Sequence, residues 1–149
     1  MKIKKFYSTL LIFSLLFFTT GCGERERELN CFPYEVISFQ LDLNLAAYHK
    51  LNNVGEWIYV NGAGAGTNGL IVIRASNTTF KIYDRNAPHL CPSGTETILK
   101  VEDNIKIICP KDGAEWILLT GQPTKISNVP PKTYRYDYNP NVKVLSIYN

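Results

Sequence analysis

Two stretches decide how this chain is understood: Asp84-Arg85-Asn86-Ala87-Pro88-His89-Leu90-Cys91-Pro92 and Cys109-Pro110-Lys111-Asp112-Gly113-Ala114-Glu115-Trp116. Each follows a run rich in β-branched and aromatic residues, Thr79–Tyr83 before the first and Ile105–Ile108 before the second. Each sets proline next to a side chain able to bind a metal. The pattern predicts two loops, each leaving the end of a strand and carrying a potential metal ligand beside proline.

Outward from these loops the pattern is β. Residues 36–43 show a period of two, and Trp57–Val60, Leu70–Ile73, Glu115–Leu119 and Val142–Tyr148 are further strand candidates. Turn signals separate them at Ser76-Asn77, Glu102–Asn104, Thr120–Pro123 and Asn139–Asn141. Helix is scarce, with a turn or two expected at Leu45–Leu51. There is no internal repeat. Many short strands with regular turns predict an all-β fold.

The chain opens with Met1-Lys2-Ile3-Lys4-Lys5, an apolar run from Phe6 to Phe18, and then Thr19-Thr20-Gly21-Cys22. A basic start, an apolar stretch and small residues before a cleavage point form the layout of a secretory leader. The run is short for a spanning helix, which needs roughly 20 apolar residues. The Gly-Cys ending is similar to a bacterial lipoprotein signal, in which Cys22 is lipidated and becomes the new N-terminus. Thr19 stands where such signals carry a Leu-like residue. Residues 1–21 are thus expected to be a signal peptide, residues 22–31 a lipid anchor with the charged tether Gly23–Glu28, and residues 32–149 one domain. The expected location is a bacterial cell envelope, on a membrane reached through the lipid.

The chain carries 16 basic and 13 acidic residues. Lys2, Lys4 and Lys5 lie in the leader, which leaves the remainder balanced. No cluster of Lys and Arg suggests a nucleic-acid partner. Gly64-Ala65-Gly66-Thr67-Asn68-Gly69 matches the dinucleotide fingerprint in letters only. That motif needs a helix N-terminus directly after it to receive phosphate, and here a strand-like run follows. Neither a Ser-His-Asp nor a Cys-His nucleophile pattern is present, and Asp112 with Glu115 makes no acid–base pair. His49 sits in a polar stretch and is expected at the surface. Tyr134, Tyr136 and Tyr138 would share one face of a strand, an arrangement that packing explains. The chain is therefore expected not to be an enzyme.

The two loops resemble the cluster-binding loops of Rieske iron–sulfur domains, which read Cys-x-His and Cys-x-x-His. The resemblance extends over about residues 57–149: the Gly69–Arg74 and Phe80–Asp84 hairpin, the strand entering Cys109, the Gly113–Trp116 and Leu119–Pro123 runs, and the closing strands. It implies a Rieske-like domain of small antiparallel sheets with both loops at one tip. In the family, two thiolates bind one iron and two imidazoles the other. Here those positions are Ala87, His89, Cys109 and Asp112. Alanine has no lone pair to donate, and a carboxylate is a harder ligand than imidazole. Cys91 lies beyond His89 from the vacated position. Lys4-Lys5 in place of twin arginines points to export of an unfolded chain, so a cluster would have to be assembled outside the cytoplasm. No cofactor and no metal are therefore expected. If a metal binds, its ligands are His89, Cys109 and Asp112, a mixed set zinc would accept.

An oxidising compartment favours a disulfide. Cys31, Cys91 and Cys109 allow three pairings, and sequence alone does not choose. The resemblance places Cys91 and Cys109 on facing loops and so implies that bridge. It would close a loop of about 18 residues, worth roughly 3 kcal/mol in the chain-entropy model. The second clamping cysteine of some Rieske proteins corresponds to Lys111. The resulting expectation is a cluster-free binding or accessory module with a protein or small-molecule partner. Its rivals are an electron carrier with a 2Fe-2S cluster held by Cys91, His89, Cys109 and Asp112, and a thiol–disulfide protein using Cys91 and Cys109.

Overall fold

A computed structural model describes residues 31–149. The expected leader, the lipidation site at Cys22 and most of the tether lie outside the described residues. The domain is all-β. Its strands are β1 (Ser38–Asp42), β2 (Trp57–Val60), β3 (Leu70–Arg74), β4 (Phe80–Asp84), β5 (Lys100–Glu102), β6 (Lys106–Ile108), β7 (Glu115–Ile117), β8 (Pro123–Lys125), β9 (Arg135–Asn139) and β10 (Val144–Tyr148). They form three antiparallel sheets, ordered β1-β10-β9, β2-β3-β4 and β5-β6-β7-β8. The only helical elements among the described residues are short 3-10 turns at His49–Asn52 and Gly94–Thr97.

The unbroken apolar run of β3 explains the layering. Successive side chains of a strand point to opposite faces, and all five residues of β3 are buried. Leu70 and Val72 join Val60, Phe80, Ile82, Leu145 and Ile147 in one core, against the β1-β10-β9 sheet. Ile71 and Ile73 face the other way, with Tyr83, Leu99, Ile107, Cys109, Trp116 and Leu118 in a second core against the four-stranded sheet. The β2-β3-β4 sheet is therefore the middle layer.

Arg74 ends β3 as a buried cation. Its guanidinium donates to the carbonyls of Leu51, Ser76 and Asn77 and stacks over Phe80 and Tyr138. Tyr134, Tyr136 and Tyr138 pack against the first core, the packing role that their alternation suggested. His49 is exposed. Gly69 leads straight into β3 rather than a helix, so the glycine-rich segment offers no dipole to a phosphate. At Gly64 the backbone has φ +82° and any Cβ would collide with the Ser38 carbonyl; the Gly64 carbonyl meanwhile accepts from Ser38 N at 3.0 Å. That segment is a close backbone junction between sheets.

Two short strands went unanticipated. β5 offers only Val101 as an apolar residue. β8 begins at Pro123, which the sequence marks as a turn; proline is tolerated there because β8 is an edge strand.

Candidate functional site

Loop one leaves β4 at Asp84, and a buried polar network fixes its exit. Asp84 is 3% exposed. Its Oδ1 accepts from Asn86 N at 2.7 Å and from Asn86 Nδ2 at 2.8 Å, and its Oδ2 accepts from the Tyr134 hydroxyl at 2.6 Å. Burial, and then the Asp84 carboxylate, push the Tyr134 hydroxyl well above the usual phenol range, so it remains a donor. Asn86 also donates to Thr67 and accepts from Asn68, tying the loop to the glycine-rich segment. Beyond this, Ala87 N donates to Thr97 O at 3.1 Å and Leu99 N to Arg85 O at 2.7 Å, which fold the loop back on itself.

Loop two is the hairpin turn between β6 and β7. Cys109 N donates to Ala114 O and Gly113 N to Cys109 O, each at 2.9 Å. Gly113 takes φ +75°, a conformation glycine reaches without a Cβ penalty. Asp112 Oδ1 accepts from Ala114 N at 3.1 Å.

The two loops meet at one tip, as the sequence implied. His89 Nε2 and Asp112 Oδ2 lie 2.6 Å apart, with side chains 14% and 26% exposed. Lys111 Nζ donates to Ser93 Oγ at 2.6 Å, a polar link between the two loops. The Cys109 thiol approaches the Glu96 carbonyl at 4.0 Å. The His89 ring rests 5.5 Å from that of buried Trp116, whose Nε1 donates to Val129 O at 2.8 Å. Donor atoms of His89, Cys109 and Asp112 all lie within 4.8 Å of one another.

The electrostatics follow from this geometry. Burial pushes the Cys109 thiol up, opposed in part by nearby backbone N–H groups. Burial also pushes the Asp112 carboxyl up, but hydrogen bonds from His89, the Ala114 N–H and Cys109 outweigh it and hold it below the usual carboxylate range. His89 Nδ1 is buried and has no hydrogen-bond partner among the described residues.

The disulfide expectation requires correction. Cys91 bonds to Cys31, across a sequence separation of 60, and Cys109 is a free buried thiol. The reason is direction: Cys91 is on the exposed outer side of loop one, whereas Cys109 points into the second core with Ala87, Leu99, Ile107 and Trp116. The bridge therefore staples the N-terminal segment to loop one instead of clamping the loops together. The thiol–disulfide reading built on Cys91 and Cys109 fails with that pairing. The signal for Cys31 was its membership among three candidate thiols, and nothing in the sequence ranked it first.

Of the four family ligand positions, Ala87 is 1% exposed and contributes a methyl to the core. His89, Cys109 and Asp112 converge. A cluster of the family's kind needs two thiolates and two imidazoles, and the tip offers one thiol, one imidazole, one carboxylate and one methyl. These residues do not fit that group. Cys91 could supply a second thiolate only by surrendering its disulfide.

No protein-family model and no curated protein matches this chain. Among solved structures it is similar to the ferredoxin of carbazole 1,9a-dioxygenase from Nocardioides aromaticivorans IC177. The identity is 17%, over 74% of this chain and 96% of that one, with a TM-score of 0.42. It is also similar to a chain in the complex of reduced oxygenase and oxidized ferredoxin in carbazole 1,9a-dioxygenase. There the identity is 23%, over 64% of this chain and 82% of that one, with a TM-score of 0.41.

Proposed function

We propose that this chain is an envelope lipoprotein, anchored through Cys22, whose Rieske-like domain carries no iron–sulfur cluster and serves as a binding or accessory module rather than an enzyme. The observation that carries this reading is the closed tip. His89 and Asp112 pair at 2.6 Å, Ala87 stands in the core where a thiolate would be needed, and Cys91 is committed to Cys31. Two of four ligand chemistries are missing, and His89 Nε2 is already paired with Asp112. Function then lies in what the two-loop tip and its surroundings contact. The anchor would keep that tip near a membrane and so restrict its partners to proteins or small molecules of the envelope.

The rival is an electron carrier with unusual ligands. It would need the His89–Asp112 pair to open and a donor to replace Ala87. Protein isolated anaerobically from its native membrane separates the two. The proposal expects no visible absorbance beyond the protein's own and no paramagnetic signal on reduction. A reduced-state signal that depends on Cys109 and His89 would establish the carrier. The anchor is tested separately: Cys22→Ser should move the chain from the detergent-soluble membrane fraction to the aqueous one, and unchanged partitioning would refute lipidation at Cys22.

A further inference from the structure

We propose that the tip binds one divalent transition-metal ion of the zinc type through His89, Cys109 and Asp112. The inference rests on the cluster-free reading, because a cluster would occupy the same His and Cys. Three side chains of different chemistry, from two loops, bring donor atoms to within 4.8 Å of one another. A tetrahedral zinc with bonds of about 2.0–2.3 Å sets its ligand atoms about 3.3–3.8 Å apart. Opening the 2.6 Å His89–Asp112 contact by about 1 Å, while drawing in the wider donors, meets that requirement. Both side chains sit on loop tips and are partly exposed, so side-chain rotation can supply this movement.

The charge balance suits a divalent ion. Binding releases the Cys109 thiol proton to solvent and leaves thiolate, carboxylate and neutral imidazole around the metal, a site of zero net charge. That neutrality matters because Cys109 is fully buried and an isolated thiolate there would be costly. The sulfur–nitrogen–oxygen set favours zinc or cobalt over magnesium or calcium, which take oxygen ligands. His89 Nε2 donates to the Asp112 carboxylate, and the unpartnered Nδ1 can carry the ring proton when Nε2 turns its lone pair to the metal. Exposure of Asp112 and His89 leaves room for solvent as a fourth ligand, the open-position arrangement of zinc sites that act on substrates.

Cobalt(II) serves as the probe, titrated into the full chain without reductant so that Cys31–Cys91 stays intact. The expected result is one cobalt per chain with a thiolate-to-cobalt charge-transfer band and tetrahedral visible bands, displaced by stoichiometric zinc. Cys109→Ser should abolish the charge-transfer band. Asp112→Asn, at a partly exposed position that should not disturb folding, should keep the band and weaken binding about tenfold or more. Absence of cobalt binding in a folded, iron-free chain would overturn the proposal without touching the cluster-free reading. So would a band that survives Cys109→Ser, or an affinity unchanged in Asp112→Asn. Iron and acid-labile sulfide in the same sample would instead overturn both.

Discussion

Ala87, Asp112 and Cys109 shape the tip in separable ways. Asp112 is held below the ordinary carboxylate range by hydrogen bonds that outweigh its partial burial. A depressed carboxyl contributes stability that is fully present above its unfolded value of about 4 and is lost as pH falls through the lower folded value. Asp112→Asn should therefore flatten the acid limb of stability against pH, measured by urea midpoints between neutral and about pH 3; an unchanged limb would contradict the assignment. The identities of His89, Cys109 and Asp112 as a group were legible through the resemblance of the two loops to a family's ligand positions. The inward direction of Cys109 was not. Loop spacing says which residues come near each other, while core packing decides which way a thiol turns.

Among the elements, loop one is secured twice. The Asp84–Tyr134 hydrogen bond at 2.6 Å joins its root to the segment entering β9, and the Cys31–Cys91 disulfide pins its far side. Tyr134→Phe leaves a buried carboxylate short of one donor and should cost about 1–3 kcal/mol, read from chemical denaturation. A disulfide closing a loop of 60 residues is worth about 4 kcal/mol in the chain-entropy model. Cys91→Ser should thus produce a large loss of stability, to which the entropy figure is a guide. Peptide mapping without reduction should recover the Cys31–Cys91 link; a Cys91–Cys109 link would contradict the architecture. The unbroken apolar run of β3 and the alternation of β10 were visible in the sequence. The short β5 and β8 were not, since three residues with a single apolar side chain or an initial proline carry almost no periodic signal. Their pairing comes from the register of β6 and β7 instead.

For the whole molecule, three antiparallel sheets share a middle layer whose central strand is buried on both faces. That design leaves the β4 and β6 ends free to project two loops to one tip. Fold class could be inferred from composition and turns, and the meeting of the loops from the family resemblance. The long-range staple could not be inferred, because no local feature ties Cys31 to a partner 60 residues away. On the proposed reading, this scaffold persists without the iron–sulfur cluster for which its loops resemble a cradle. Iron and acid-labile sulfide, assayed on the mature chain purified without air from its native envelope, test this most directly. Values near zero for both are expected. About two irons and two sulfides per chain, the content of a two-iron cluster, would contradict this reading and make the protein an electron carrier with an unusual ligand set.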